Sequence, residues 1–160
     1  MLQLDFKTVK TFKNSGVFKE HPSIDKTQSD YTIVRNVGIE FARLGKKAVA
    51  TPKLHYKSVE YQQIYAALSG TKYYRKCPDL LVNGKFYEVE SYNPPFSKDK
   101  IRRMFNKGLK QSSNIIINNT KGTSDELIER TIHKRISPGQ DINEVWLYEK
   151  GKIRLFYKKQ

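Results

Sequence analysis

The stretch CPDLLVNGKFYEVE (residues 77–90) decides how this chain folds, because an Asn-Gly pair at positions 83 and 84 sets where its carboxylates point. Asn-Gly between two apolar runs favours a two-residue type I′ hairpin turn. Counting outward from that turn places Asp79 opposite Glu88, with their Cβ atoms ~4.5–5.5 Å apart. Glu90 lies two residues further along and shares the face of Glu88. The sequence therefore predicts three carboxylates on one face of a hairpin.

Carboxylates that face each other across a strand pair are destabilising unless something neutralises them. One alternative is that these acids form only the solvated face of an exposed hairpin. Large apolar side chains on both predicted faces, and the scarcity of acids in the chain, favour a buried position instead. Clustered hard oxygen ligands suit a divalent cation. We therefore predict that Asp79, Glu88 and Glu90 bind Mg²⁺ or Mn²⁺.

The charge of the chain predicts a polyanionic partner. Its 160 residues include 30 Lys and Arg against 16 Asp and Glu, which gives a formal net charge of +14. Nucleic acid, either RNA such as tRNA or DNA, is the leading candidate, and an anionic membrane surface is the rival. No stretch is apolar enough to span a bilayer, and the N-terminus lacks the apolar core of a signal peptide. With Cys77 as the single cysteine, we expect a soluble, cytoplasmic protein without an internal disulfide.

Hydrophobic periodicity and turn residues predict a mixed central sheet with flanking helices, an α/β fold. Residues 1–30 are expected to form an N-terminal arm or strand region, and 31–160 a single domain. The predicted elements are a helix from position 30 to Gly45, a strand Lys47–Thr51, a helix Val59–Leu68, the hairpin, a helix Ser97–Lys110, a strand Ile115–Ile117, a helix opened by a Thr123–Glu126 capping box, and a hairpin turning at Lys150-Gly151.

Residues 31–118 resemble the αβββαβ core of the PD-(D/E)xK nuclease superfamily. The likeness rests on the order of a helix with Glu40, a strand, Pro78-Asp79, the Glu88-Val89-Glu90 element, a basic helix and an apolar strand. It implies a metal-dependent nuclease in which Asp79 and Glu88 hold the metal and Glu40 assists. The restriction-endonuclease-like core is followed by a C-terminal helix and hairpin.

This sequence departs from the superfamily motif at Glu90, which stands where the family usually has its lysine. Some restriction-enzyme members also have Glu at that position. Lys76 or Lys110 is then expected to supply the positive charge. Gln111 lies where related nucleases sometimes place a polar helix residue.

The layout also resembles the C-terminal toxin domains of contact-dependent growth inhibition systems, which are small basic nucleases often directed at tRNA. That resemblance implies delivery to the cytoplasm of a target cell. It also implies a dedicated acidic immunity protein that covers the basic cleft.

Two basic segments are predicted to bind phosphates of nucleic acid independently of its base sequence. Their residues are Lys72, Arg75, Lys76, Arg102, Arg103 and Lys107. Tyr73, Tyr74 and Tyr92 are candidates for stacking on exposed bases, although tyrosines in strands more often pack into a core.

Two other function classes stay open from the sequence. In a metal-independent ribonuclease, His21, His55 and His133 would act as acid and base. In a non-catalytic nucleic-acid-binding module, the missing lysine would mark a degenerate nuclease fold.

Overall fold

A computed structural model describes residues 5–91, 97–119 and 122–160 of the chain. The chain forms two compact units, Met1–Phe86 and Tyr87–Gln160. Tyr92 and the Asn93-Pro94-Pro95 break lie outside the described residues. Within the described part, no helix is both long and apolar enough to cross a membrane.

Unit 1 packs a helix against a mixed group of strands. The elements are β1 (Lys7–Thr11), β2 (Val17–Glu20), α1 (Tyr31–Arg43), β3 (Lys47–Ala50), α2 (Val59–Ile64), a 3₁₀ turn (Ala66–Leu68), β4 (Leu80–Val82) and the start of β5 (Lys85–Glu90). Strand pairing is antiparallel between β1 and β2, parallel between β2 and β3, and antiparallel between β3 and β4.

Unit 2 contains the end of β5 and the rest of the chain. Its further elements are α3 (Lys98–Leu109), β6 (Asn114–Asn118), α4 (Asp125–Ile136), β7 (Glu144–Glu149) and β8 (Lys152–Lys158). Strands β5 and β7 both pair in parallel with β6, and β8 pairs antiparallel with β7. Parallel and antiparallel pairs, together with four helices among the described residues, confirm the predicted mixed α/β class, and α1, β3, β4, β5, α3 and β6 occur in the predicted order.

Both predicted Xaa-Gly turns are confirmed by their backbone angles. Asn83 and Gly84 have φ of 47° and 82°, and Lys150 and Gly151 have φ of 49° and 77°. Two successive positive φ angles define a type I′ turn, whose twist matches that of the strands it joins. The local sequence therefore fixes where β4 ends and β5 begins.

Helix α1 ends as its sequence predicts, at a glycine. Gly45 has φ of 88°, and its N–H donates to Ala42 O at 2.9 Å while the Lys46 N–H donates to Phe41 O at 3.1 Å. These two bonds form a Schellman motif, which satisfies carbonyls that the helix end leaves open. Leu44 is 43% exposed, because it occupies the cap position where the chain turns away.

Two other predicted boundaries are corrected. The helix expected at 59–68 divides into α2 and a 3₁₀ turn, with Tyr65 between them. The N-cap of α4 is Ser124, whose Oγ accepts the Leu127 N–H at 3.3 Å. Thr123 is not the cap, because its backbone N–H donates to Asn119 Oδ1 at 2.9 Å and holds it in the preceding loop.

The core of unit 2 surrounds β6 and the helices α3 and α4. Beside it, Glu144 accepts hydrogen bonds from the Tyr87 hydroxyl at 2.9 Å and the Trp146 indole N–H at 2.8 Å. Burial is the main cause that raises the pKa of Tyr87, and the Glu144 carboxylate adds to it. These bonds satisfy polar atoms that would otherwise be costly to bury.

Helix α1 packs closely against β2 in unit 1. A Cβ placed on Gly38 would lie 2.2 Å from Cε1 of Phe18, and Phe18 is fully buried. Because the ring cannot move into solvent, the helix approaches the strand this closely only if residue 38 has no side chain.

We predict that Gly38→Ala destabilises the protein. The added methyl group overpacks the core at a cost of ~1–3 kcal/mol, which exceeds the gain of up to ~1 kcal/mol from the better helix propensity of alanine. Thr32→Ala, at an exposed position of the same helix, is the matched control and should leave stability unchanged or slightly raised. Urea unfolding measures both variants, and a Gly38→Ala protein as stable as the wild type would contradict the proposed packing.

Candidate functional site

In unit 1, Asp79 lies where the chain enters β4 and forms an ion pair with a lysine that follows β3. Lys53 Nζ is 3.1 Å from Asp79 Oδ1 and donates to Cys77 O at 2.6 Å. The backbone is fixed by the Thr51 N–H, which donates to Asp79 O at 3.0 Å. Asp79 is buried, whereas Lys53 is exposed. The lysine therefore brings positive charge from the surface to a buried carboxylate.

A buried tyrosine contacts the backbone next to both residues of this ion pair. The Tyr65 hydroxyl donates to Pro52 O at 2.7 Å and lies 3.4 Å from Pro78 O. Burial is the main cause that raises the pKa of Tyr65, so the hydroxyl remains a donor. The residues before Lys53 and Asp79 are thereby tied to the core of unit 1.

Lys53 and Asp79 line a cavity of about 180 Å³ in unit 1. This is smaller than the ~300–1,000 Å³ typical of sites for whole organic ligands. It suits a few waters or one phosphate-sized group. The other lining residues are Ser23, Ile24, Asp25, Gln28, Asp30, Tyr31, Val34, Ala50, Thr51 and Pro52.

Glu20 is a buried acid of unit 1 that the sequence analysis missed. It accepts a hydrogen bond at 2.7 Å from the hydroxyl of Tyr31, which lines the cavity, and lies 3.8 Å from Arg35 Nε. Burial, followed by the bond to Glu20, raises the pKa of Tyr31. Strand alternation was the available signal, since Glu20 is two residues from buried Phe18 and shares its face.

Glu40 is buried in α1, where Arg43 holds both of its oxygens. Arg43 Nε donates to Oε2 at 2.9 Å and the guanidinium NH2 donates to Oε1 at 3.1 Å. Glu40 is not among the residues that line the cavity. Its role as a catalytic helper stays a prediction.

In unit 2, Glu88 and Glu90 are buried on β5, level with Ile115 and Ile117 of β6. A Cβ on Gly108 would lie 3.0 Å from Glu90 Cγ, so this glycine of α3 leaves the space that Glu90 occupies. Unit 2 therefore brings Glu90 against the last turn of the basic helix.

Lys110 is exposed at the end of α3, and Gln111 follows it and is half-buried. The Gln111 N–H donates to Gly108 O at 2.9 Å, which places both residues within a turn of the Glu90 contact. Arg102, Arg103 and Lys107 are exposed along the same helix. Their proposed catalytic and phosphate-binding roles are not tested by these contacts.

The donor chemistry of buried carboxylates fits Mg²⁺ or Mn²⁺. Within residues 5–91, 97–119 and 122–160, however, no group of three or more His, Cys, Asp or Glu side chains is arranged to hold a metal ion. A preformed three-ligand site is thus not present in the described part, and the ligand set stays a prediction.

Each histidine has its own local partner. His21 Nδ1 is 2.8 Å from Ser23 Oγ and its Nε2 is 3.1 Å from Glu60. The His55 ring stacks on Tyr56, and His133 lies 3.7 Å from Glu129. None of these three contacts pairs one histidine with another, and their role as acid and base stays a prediction.

Acidic and basic residues are distributed very differently between interior and surface. Six of the 16 acids are buried, whereas no described Lys or Arg is buried. The buried acids are Glu20, Glu40, Asp79, Glu88, Glu90 and Glu144. The surface is therefore more positive than the net charge of +14 alone suggests.

Comparison with known proteins gives one family and one solved structure. Residues 76–153 match the family model described as the contact-dependent growth inhibition CdiA C-terminal domain. The chain is similar to CdiA C-terminal domains. This matched segment includes Asp79, Glu88 and Glu90.

The fold is also similar to a solved CdiA-CT/CdiI toxin and immunity complex from Burkholderia pseudomallei. The TM-score is 0.52 at 18% sequence identity, over 86% of this chain and 91% of that chain. At this identity the match establishes a shared fold. No curated protein sequence matches the chain.

We predict that Lys53→Met lowers the free energy of unfolding by about 1–3 kcal/mol, because the buried Asp79 carboxylate loses its cationic neighbour. Adding Asp79→Asn should recover part of the loss, since the amide carries no charge. Lys26→Met, which removes an exposed lysine of the same unit, is the control. A double-mutant cycle in urea should give a coupling of at least ~0.5 kcal/mol, and additive effects would show that the pair contributes nothing.

Proposed function

We propose that this chain is a toxin domain of a contact-dependent growth inhibition system and acts as a metal-dependent nuclease on RNA, such as tRNA, or DNA. The observation that supports this proposal is the distribution of charge. Six carboxylates are buried, whereas none of the described lysines and arginines is buried. A positive surface attracts a polyanion, and buried acids are costly unless they serve a role. The similarity to CdiA C-terminal domains supports the toxin assignment.

In this proposal, Asp79, Glu88 and Glu90 hold Mg²⁺ or Mn²⁺. When bound, the ion supplies positive charge that stabilises the transition state of phosphodiester hydrolysis. Lys53 is the cation beside Asp79 and takes the place of the lysine that the superfamily motif lacks here. Arg43 fixes the orientation of Glu40, the predicted helper.

Basic residues bind substrate in this scheme. Those that hold phosphates are Lys72, Arg75 and Lys76 in unit 1, and Arg102, Arg103 and Lys107 on α3. Lys110 and Gln111 position the substrate near Glu90. Phosphate contacts of this kind give affinity that falls with salt and is insensitive to sequence.

A second candidate is a nucleic-acid-binding module without chemistry. The observation that favours it is that the described residues hold no preformed group of three metal-ligating side chains. Such a module would bind nucleic acid with the same salt dependence and leave it intact.

Cleavage assays distinguish the two functions. Purified protein with tRNA, single-stranded DNA or duplex DNA should cleave at least one substrate in Mg²⁺ or Mn²⁺ and none in EDTA. Asp79→Asn and Glu88→Gln should each lower the rate at least ~100-fold, because each removes a proposed ligand of the ion that stabilises transition-state charge. Glu129→Gln, at an exposed acid of α4, is the matched control and should retain activity.

Cleavage that persists in EDTA or in both carboxylate variants would overturn the metal-dependent mechanism. Binding of nucleic acid without cleavage in any metal would establish the non-catalytic module.

We further propose an acidic immunity protein as partner, supported by the similar fold of a solved toxin and immunity complex. Expression of the chain should arrest bacterial growth, and co-expression of the immunity protein should restore it. Opposite charges speed association, so the association rate should fall ~10-fold or more as salt is raised. Asp79→Asn should bind the immunity protein normally. An association rate that does not change with salt concentration would contradict electrostatic recognition.

A further inference from the structure

Three planar groups of unit 1 form a stack at its surface, named here the Tyr56 stack and consisting of His55, Tyr56 and Arg75. The guanidinium carbon of Arg75 lies 4.3 Å from the centroid of the Tyr56 ring. The His55 ring stacks on the same tyrosine at 4.7 Å, with 25° between the planes. His55 and Arg75 are exposed, and Tyr56 is half-buried. The stack therefore presents planar cationic and aromatic groups to solvent.

The core of unit 1 holds the tyrosine in place. Gln62 Nε2 donates to Tyr56 O at 2.7 Å and lies 3.3 Å from the Tyr74 hydroxyl. Tyr74 packs edge-on against Tyr56 at 6.1 Å and against buried Tyr61 at 6.2 Å. The centre of the stack is thus rigid before any ligand arrives, which lowers the entropy lost on binding.

Arg75 reaches the tyrosine from a strained backbone. Its φ is 78°, in the left-handed region that is unfavourable for a residue with a β-carbon. Glycine would adopt this conformation without strain. Strain of this kind tends to occur at functional positions, where the placement of the side chain matters.

The cations around the stack are available to an anion. Among the described residues, Arg75, Lys57 and Lys72 make no ion pair with a carboxylate. Lys57 and Lys72 instead lie over tyrosine rings, with Nζ 5.9 Å from the Tyr56 centroid and 5.3 Å from the Tyr73 centroid. Positive charge and aromatic faces therefore alternate across this surface.

We propose that the Tyr56 stack binds unpaired bases of a nucleic-acid strand, with Lys57 and Lys72 on its phosphates. Bases stack on Arg, His and Tyr planes through their own π faces, and this pairing of aromatic platform and basic groove is typical of single-strand binding. The inference extends the proposed nuclease function by naming the substrate class as nucleic acid with unpaired bases. It concerns binding, and it does not depend on cleavage.

An acidic protein is the rival occupant, but it uses different features of the surface. Carboxylates bind the edge of a guanidinium group through paired hydrogen bonds and gain nothing from a stacked ring. In the Tyr56 stack, Arg75 already lies over an aromatic ring, as in stacking recognition. The observations therefore favour bases.

Binding in EDTA tests the proposal without relying on chemistry. Fluorescence anisotropy would compare a labelled single strand with a strand of the same length and charge in which the bases are replaced by abasic residues. Stacking of one base is worth enough to give the natural strand a ~5- to 150-fold advantage. Arg75→Gly keeps the backbone conformation and removes the guanidinium, so it should fold normally and reduce that advantage at least ~5-fold.

Two further variants separate shape from charge. Arg75→Lys retains the positive charge but not the planar guanidinium group. It should therefore also reduce the preference for the natural strand over the abasic strand. Lys13→Ala removes an exposed cation elsewhere in unit 1, and should weaken both strands equally.

Equal affinity of the wild type for natural and abasic strands would overturn the proposal and leave a surface for phosphates or an acidic protein. An Arg75→Gly change that affects both strands equally would do the same. Base-dependent binding that Arg75→Gly abolishes, in a protein that cleaves nothing, would support the Tyr56 stack while rejecting the nuclease.

Discussion

The burial of carboxylates is the constraint on which the rest of the structure depends. A buried charge must be compensated by partners of opposite charge or by hydrogen bonds. The chain meets this requirement differently at each site: Lys53 at Asp79, Arg43 at Glu40, and the Tyr87 and Trp146 donors at Glu144. Two of these contacts also connect separate elements: the Tyr87–Glu144 bond joins β5 to β7, and the Lys53–Asp79 pair joins the segments at the ends of β3 and β4.

The surface is shaped by the same division of charge. Because six of the acids are buried, the exposed cations of α3 and of the loop before β4 have few carboxylates to pair with. Their mutual repulsion costs stability, and an anionic partner relieves it. Affinity for a polyanion is therefore a property of the whole fold and not only of a few contact residues.

Local sequence was sufficient to predict both Xaa-Gly turns, the end of α1 and most of the strands. Asn83-Gly84, Lys150-Gly151 and Gly45 each specify a conformation through residues adjacent in the chain. Long-range partners were not predictable in the same way. Lys53 meets Asp79 only because β3 and β4 pair antiparallel with Ala50 level with Leu80, a register that neither segment encodes alone. The Tyr56 stack likewise joins residues about 20 positions apart, and no periodic pattern relates them. The carboxylates were conspicuous as a sequence motif, but the partners that neutralise them are products of tertiary structure.

Trp146, the single tryptophan, donates its indole N–H to buried Glu144 in unit 2. Indole emission shifts to longer wavelength when this bond is replaced by water, and unit 1 contains no tryptophan. Fluorescence excited at wavelengths that tyrosine does not absorb is therefore a reporter of unit 2 alone. Spectroscopy on the unmodified chain, combined with circular dichroism of all its elements, would show directly whether the two units unfold together or in succession.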